Sequence, residues 1–311
     1  MKLLVTGALG HIGSKLIHSI KPGEYKEILL LDNLSTQRYA SLFNLPPGVK
    51  FRFVETDVCT ADLDAYFKGI DVVIHLAAIT DATSSFNKKD QVELVNLKGT
   101  QRVAEACLKN GCRLIFPSTT SVYGTQADVV DENCSLEQLQ PQSPYAESKL
   151  KAERYLQQAA QERGLKVVIC RLGTIFGISI GMRFHTAINK FCWQAVMGQP
   201  ITVWRTALDQ KRPYLDLKDA IAAFRFVMGK DLFDGRVYNI VTINSTVGDI
   251  VKVIAKEIKD VTIKYVDTKI MNQLSYNVLN RRFIDQGFCF TGDLNQGVAE
   301  TITLLRNANS R

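Results

Sequence analysis

Tyr145-Ala146-Glu147-Ser148-Lys149 sets a phenol and an ammonium four residues apart, a spacing that brings both to one face of a helix and within reach of a common point. A phenol titrates near pH 10 and is a poor base at neutral pH. A cation beside it favours the ionised form, and moving the midpoint from about 10 to about 7 asks for about 4 kcal/mol of differential stabilisation. A tyrosine activated in this way takes a proton from an alcohol and returns it. Tyr-x-x-x-Lys also arises by chance on exposed helices, so the pair gains weight from the hydroxyl-rich run upstream, Ser118-Thr119-Thr120-Ser121-Val122-Tyr123-Gly124.

A second constellation opens the chain. Gly7-Ala8-Leu9-Gly10-His11-Ile12-Gly13 follows a short aliphatic run and leads into a helical stretch. Glycine lets the backbone turn tightly and touch a pyrophosphate lying on the helix N-terminus, where N–H groups and the dipole favour anions. A glycine-rich turn can also be merely structural. Asp32 stands nineteen residues after Gly13, close to the spacing of a carboxylate that accepts from the adenosine ribose hydroxyls of a dinucleotide. The alternative is that it opens a turn with Asn33. A carboxylate there repels a 2′-phosphate, so NAD is expected over NADP, although Arg38 nearby works against that preference.

These groups need a scaffold to hold them. Short β-branched or aliphatic runs recur at Lys2 to Thr6, Glu27 to Leu31, Lys50 to Val54, Asp71 to Leu76, Arg113 to Ser118, Lys166 to Leu172 and Arg236 to Ile240. Helical stretches lie between them at His11 to Ile20, Leu63 to Lys68, Gln91 to Lys109 and Pro144 to Arg163. The alternation predicts an α/β fold of Rossmann type, a doubly wound parallel sheet with helices on both faces. The rhythm weakens after about Gly173. We therefore expect an NAD-binding domain over 1–173 plus about 214–241, and a smaller C-terminal substrate-binding region over about 174–213 plus 242–311.

With these motifs in order, the chain resembles the extended short-chain dehydrogenases/reductases of the nucleotide-sugar epimerase/dehydratase group over essentially its whole length. The resemblance rests on the glycine loop, Asp32-Asn33-Leu34, Asp57-Val58, His75-Leu76-Ala77-Ala78, Asn96-Leu97-Lys98-Gly99-Thr100, Thr119 to Gly124, Tyr145 to Lys149 and Arg212-Pro213-Tyr214-Leu215-Asp216-Leu217. It implies that Thr119 shares the substrate hydroxyl's hydrogen bond with Tyr145, and that Lys149 also holds the nicotinamide ribose. It places Asp57 and Val58 at the adenine, and Leu76, Ala77, Ala78 and Asn96 along the cofactor; for Asp57, Val58, Ala77 and Ala78, a strand-end turn and sheet packing are equally open. The implied activity starts by oxidising C4 of a nucleotide sugar. Dehydratases of the group carry a glutamate at the position of Ser121, usually with an acidic neighbour, and Ser121 and Thr120 cannot replace a carboxyl acid or base. Small hydroxyls at this place resemble UDP-sugar 4-epimerases, so a 4-epimerase is expected, with a 4-dehydrogenase or 4,6-dehydratase as alternatives and a silent NAD-binding regulator as the non-enzyme reading.

The sugar-nucleotide side departs further from the group. Arg212 matches an arginine that clamps the substrate diphosphate, a task suited to a forked cation. A second such arginine is missing, and Lys269 is the candidate substitute. Thr174 stands where relatives commonly carry asparagine. Asn189 resembles a residue that contacts the substrate's phosphate or base region. Arg183 and His185 could bind a carboxylate or phosphate, or simply be surface charges, and Trp193 and Trp204 could stack on a nucleobase or pack in the core.

Composition sets the outer limits. The chain has 311 residues, 46% hydrophobic and 22% charged, enough to bury a core without disulfide or metal staples. Its 38 Lys and Arg against 31 Asp and Glu leave +7, which suits nucleic acid, a membrane surface or an anionic small molecule. The basic residues are dispersed without a nucleic-acid module, and no apolar run of about 18 residues occurs, so the pyrophosphates of NAD and of a nucleotide sugar are the expected anions. Seven cysteines, odd in number and without a C-x-x-C pair, suit reduced thiols in the cytoplasm. The five residues between Met1 and Gly7 are too few for the apolar core of a secretory signal, so none is expected, and the four histidines lack metal-ligand spacing with any cysteine. The resemblance also implies a homodimer.

Overall fold

The seven aliphatic runs pair side by side into one parallel sheet. They are β1 (Lys2–Thr6), β2 (Glu27–Asp32), β3 (Phe51–Glu55), β4 (Val72–His75), β5 (Arg113–Thr119), β6 (Val167–Leu172) and β7 (Val237–Ile240). Their spatial order is β7-β6-β5-β4-β1-β2-β3. Every expected strand forms, with no end displaced by more than one residue. The computed structural model describes residues 1–124, 128–266 and 275–308.

Alternate residues of each strand point to opposite faces, and both faces are covered. On one face Leu3, Val5, Ile28, Leu30, Ile74 and Val168 pack with Leu16 and Ile17 of helix His11–His18 and with Phe224 and Val227 of helix Leu217–Lys230. On the other, Leu4, Leu29, Val73, Leu114, Phe116 and Ile169 pack with Val103 of helix Gly99–Asn110 and with Ala152 and Leu156 of helix Pro144–Arg163. This double cover is the doubly wound architecture, and it explains why the strands read as continuous aliphatic runs.

Helix Pro144–Arg163 runs over the expected residues because both ends are written locally. Ser143 caps it by accepting from the Ala146 N–H at 3.2 Å, Pro144 takes the first turn, and Gly164 ends it at φ +74°. The helix expected over 91–109 is instead broken into Lys89–Glu93, a widened π turn over Leu94–Lys98, and Gly99–Asn110. Such a turn inserts an extra residue and redirects side chains, here Asn96.

Beyond Gly173 the chain builds smaller sheets. Thr174–Phe176 and Lys211–Asp216 pair in parallel, with Ile243–Thr246 antiparallel on the far side. Ile201–Trp204 pairs with Ile263–Val266. Phe176, Ile188, Phe191, Val203, Ile250 and Val298 form a separate apolar core. Helix Val247–Glu257 was not anticipated, although Val247, Ile250, Val251 and Ile254 repeat at i, i+3, i+4 and i+7. Phe283 and Phe288, near the C-terminus, return to the main sheet and join its first core. Among the described residues no helix is long and apolar enough to cross a membrane.

Two glycines give opposite predictions. A Cβ on Gly13 would lie 2.4 Å from the Ala8 carbonyl oxygen, whereas one on Gly229, in helix Leu217–Lys230, meets nothing within 4 Å. In urea unfolding, Gly13→Ala should lose about 1–3 kcal/mol through forced backbone displacement, and Gly229→Ala should gain about 0.5–1 kcal/mol.

Candidate active site

A cavity of about 500 Å³ opens where the strand order reverses, beyond the C-terminal ends of β1 and β4. Open α/β sheets place ligands at this point because the connections leave the sheet in opposite directions and part there. The glycine loop forms one wall. Gly7 holds φ +63°, and a Cβ on it would lie 2.6 Å from the Ala77 nitrogen, so the loop after β1 rests directly on the loop after β4. Gly10 caps helix His11–His18 without a side-chain acceptor on the first-turn N–H groups. These features fit a dinucleotide pyrophosphate, which needs close backbone approach and donors at a helix start.

Asp32 ends β2 and ties two turns together, accepting from the Leu9 N–H at 3.0 Å and the Leu34 N–H at 2.9 Å. Burial disfavours the charge on Asp57, but the Cys59 N–H at 2.8 Å and the Asn33 amide at 3.0 Å win and hold its carboxyl below the usual range. Val58 is buried in the second core. Arg38 donates to the Gly181 carbonyl at 2.7 Å, which engages the cation that opposed the NAD preference.

His75, at the end of β4, is buried and neutral; burial first, then Lys149, push it down to about 3. Thr100 donates to the Asn96 carbonyl at 2.6 Å, so it accepts from His75 Nε2 at 3.1 Å, and Thr6 donates to His75 Nδ1 at 2.7 Å. Thr6 in turn accepts from the Ala77 N–H at 3.3 Å. Asn96, turned inward by the π turn, accepts from the Ile79 N–H at 2.8 Å and donates to the Ile79 carbonyl at 2.9 Å and to Ser148 at 3.0 Å. It braces the loop behind the cavity rather than lining it.

Thr119, Tyr145 and Lys149 meet at the cavity floor. Thr119 ends β5, accepts from the Ser121 N–H at 3.1 Å and hydrogen-bonds Tyr145. Burial pushes the Tyr145 phenol up to about 12, while the Thr119 hydrogen bond and the charge of Arg183 act downward. Arg183 is thus a further cation at this site, beside the expected Lys149. The Lys149 ammonium donates to the Pro117 carbonyl at 2.8 Å and sits 4.5 Å from the centre of the Phe116 ring. Burial lowers it to about 8, and Glu153 opposes the fall.

Beneath the floor lies a buried ion pair that the motifs do not contain. Arg171 Nη2 reaches Glu153 Oε2 at 2.7 Å, and its Nε lies 3.1 Å from both carboxylate oxygens, with side-chain exposures of 5% and 1%. Ser118 donates to the same carboxylate. Arg171 Nη1 donates to the Tyr123 hydroxyl at 2.9 Å, which donates to Asn239 at 2.9 Å. Burial acts against the Arg171 charge, but Glu153 outweighs it and raises the guanidinium. The available signal was a charged residue one turn beyond Lys149 and another inside an aliphatic strand.

The segment after β6 supplies the opposite wall. A Cβ on Gly181 would lie 2.5 Å from the Leu9 carbonyl oxygen, Ser179 bonds His11 Nδ1 at 2.7 Å, and the Gly181 N–H donates to Ser14 at 3.0 Å. His11 is pushed down to about 3, by burial first and then by Arg183, Arg38 and other nearby positive groups. Arg183 donates to Thr80 at 2.5 Å, while its Nε and His11 Nε2 are buried without a hydrogen-bond partner among the described residues. Asn189 does not line the cavity; it accepts from the Gly177 N–H at 3.3 Å and donates to the Arg183 carbonyl at 3.1 Å, holding the wall in shape.

Of the other substrate-side candidates, Thr120, Ser121, Thr174, His185, Trp204 and Arg212 line the cavity. Thr120 donates to the Leu172 carbonyl at 3.3 Å. The Arg212 guanidinium lies 5.8 Å over the Tyr276 ring. Trp193 packs on Phe184 instead, at 5.3 Å between ring centres. Lys269 lies outside the described residues. Gly7, Gly10 to Gly13, Leu76 and Ala78 line the cavity, whereas Asp32, Asn33, Asp57, Val58, Ala77 and Asn96 are not part of its lining. The wall also includes Thr80, Asp81 and Lys190, which no motif marked.

Comparison with known proteins agrees with this geometry. The model of the NAD dependent epimerase/dehydratase family matches residues 3–241. A protein of Bacillus subtilis (strain 168) described as an uncharacterized UDP-glucose epimerase is 32% identical over 247 residues, covering 77% of this chain and 76% of that one. A trifunctional UDP-glucose 4,6-dehydratase/UDP-4-keto-6-deoxy-D-glucose 3,5-epimerase/UDP-4-keto-L-rhamnose-reductase of Arabidopsis thaliana is 32% identical over 96% of this chain, which spans about half (46%) of that protein's length. Among solved structures, a UDP-glucuronic acid 4-epimerase from Bacillus cereus in complex with UDP-glucuronic acid and NAD superposes with a TM-score of 0.84 at 26% identity, covering 99% of this chain and 100% of that one.

Removing half of the buried pair should be costly. Arg171→Met strands the Glu153 charge and should lower the unfolding free energy by about 3–5 kcal/mol, whereas Arg171→Met with Glu153→Leu should recover most of it, as read from urea midpoints.

Proposed function

The chain belongs to the NAD-dependent epimerase/dehydratase family, and within that family we propose that this protein is a nucleotide-sugar 4-epimerase, inverting C4 of its substrate through a transient 4-keto sugar. One observation carries the reading: Thr119 and Tyr145 meet at the cavity floor with hydroxyls, Thr120 and Ser121, beside them. Elimination of water from C5 and C6 needs a carboxyl acid or base at that place, whereas hydrogen exchange at C4 needs only the tyrosine. The similarity to a UDP-sugar 4-epimerase of known structure supports the same choice.

NAD, when bound, supplies the acceptor and donor of the hydride exchanged with C4. Gly7, Gly10, His11, Ile12 and Gly13 hold its pyrophosphate, Asp32 its adenosine ribose, and Asn33, Asp57, Val58, Leu76, Ala77, Ala78 and Asn96 shape the rest of its bed. Thr119 aligns the C4 hydroxyl, and Tyr145 takes its proton and later gives one back. Since Tyr145 stands near 12 in the cavity by itself, proton transfer waits on further positive charge beside the phenol. Lys149 holds the nicotinamide ribose, Thr120, Ser121 and Thr174 face the sugar, and Arg212 clamps the diphosphate.

Arg183 narrows the substrate. A guanidinium whose Nε is buried without a hydrogen-bond partner among the described residues, in the same cavity as the tyrosine, favours an anionic group on the sugar itself. A carboxylate attached at C5, next to the reacting carbon, meets that requirement, so a UDP-uronic acid is the preferred substrate. The seven free cysteines support a cytoplasmic location. The family resemblance supports a homodimer and the division into a cofactor part, 1–173 with about 214–241, and a sugar part; sedimentation velocity checks the dimer.

With NAD and UDP-glucuronic acid, the expected product is the C4 epimer with no net NADH, and Tyr145→Phe should reduce turnover by about 10²–10⁴-fold. UDP-glucose should be the poorer substrate, and Arg183→Met should erase the difference in kcat/KM. An accumulating 4-keto or dehydrated product, followed by NMR, would overturn the epimerase reading.

A further inference from the structure

Lys149 is enclosed mainly by groups that carry no charge. From β5 it meets the Pro117 carbonyl and the Phe116 ring; from β4 the nearest titratable group is His75, which burial keeps neutral. Its own helix contributes Tyr145, a neutral phenol, and Glu153, one turn further on. From β6 comes Arg171, a second cation. Glu153 is the one anion in this set, and it is itself 1% exposed.

The carboxylate also has a mechanical reach. It accepts from Ser118, and Ser118 sits between Pro117, whose carbonyl receives the Lys149 ammonium, and Thr119, which bonds Tyr145. The strand register sets Ser118 opposite Arg171, so the guanidinium that neutralises Glu153 is anchored to the same rung of the sheet. One carboxylate thus faces the lysine electrostatically and grips the strand residue lying between the partners of the lysine and the tyrosine.

We propose that Glu153 is a positioning residue that keeps Lys149 a cation at neutral pH and fixes the end of β5 against the catalytic helix, acting on the reacting atoms only through Lys149 and Thr119. Arg171 serves a different purpose: it satisfies the charge of Glu153 so that the carboxylate can be buried. The proposal rests on the epimerase reading only where turnover is concerned, because the protonation of Lys149 is measurable without substrate or cofactor.

The test is a pH titration of the protein labelled with ε-13C-lysine, the Lys149 signal being assigned by its loss in Lys149→Arg. Wild type should titrate near pH 8. Glu153→Gln should titrate about one pH unit or more lower, since a nearby opposite charge has been removed. Arg171→Gln, which leaves the carboxylate in place, should titrate at the wild-type value or higher. Should Glu153→Gln fail to fold, Glu153→Gln with Arg171→Gln, which strands no buried charge, reads the same downward shift against wild type. In turnover assays, the basic limb of the pH profile should move down in step with the titration. An unshifted titration in folded Glu153→Gln, or an equal fall in Arg171→Gln, overturns the proposal. Absence of epimerase turnover in wild type, with the lysine titrations as expected, would instead count against the epimerase reading alone.

Discussion

The catalytic end of this sheet depends on burying one ion pair. Taking Glu153 and Arg171 out of water costs several kcal/mol per ion, and their attraction offsets this only if the remaining donors and acceptors are also satisfied. Here they are: the guanidinium meets both carboxylate oxygens and Tyr123, and the carboxylate also takes Ser118. The network runs on through Tyr123 to Asn239 of β7, whose N–H donates to Glu132 at 2.7 Å. One helix and three adjacent strands are pinned to one another at the level where Thr119, Tyr145 and Lys149 stand.

The second constraint is backbone against backbone. The loops after β1 and β4 touch through Gly7, and the wall after β6 touches the first loop through Gly181, in both cases without room for a Cβ. Three loops from distant parts of the chain are thereby brought to one cavity edge. Thr6 and Asn96 fill the space behind them with hydrogen-bonded side chains, and His75, which reaches the cavity lining, is neutral, so this side presents no charge.

Charge is concentrated where it serves a ligand and dispersed elsewhere. Arg183 and Arg212 line the cavity, while His11 is held neutral by burial and by Arg183 and Arg38. Many of the other cations form exposed pairs, such as Lys151 with Glu93 or Lys218 with Glu300, that add little to stability. The net +7 is therefore a poor guide to function, and a few partly buried guanidinium groups are a good one.

Much was legible in the chain before any coordinates. Runs of β-branched and aliphatic residues mark strands buried on both faces, and the Ser143-Pro144 start and Gly164 end bound the catalytic helix, because strand burial and capping are local chemistry. The glycine loop and the Tyr145–Lys149 pair stood out as candidates for the same reason, each being one short segment, while Asp32 and Thr119 stood out by their order and distance from those segments along the chain. What only the tertiary structure decided are relations between segments far apart in sequence. These include the charge of Arg183 acting on Tyr145, Arg38 engaged by Gly181, Asn96 and Asn189 bracing the wall from behind, and the pairing of Glu153 with Arg171. None has a local signature, since a charge inside an aliphatic strand is unfavourable until a partner from another element arrives, and only the packed sheet brings that partner.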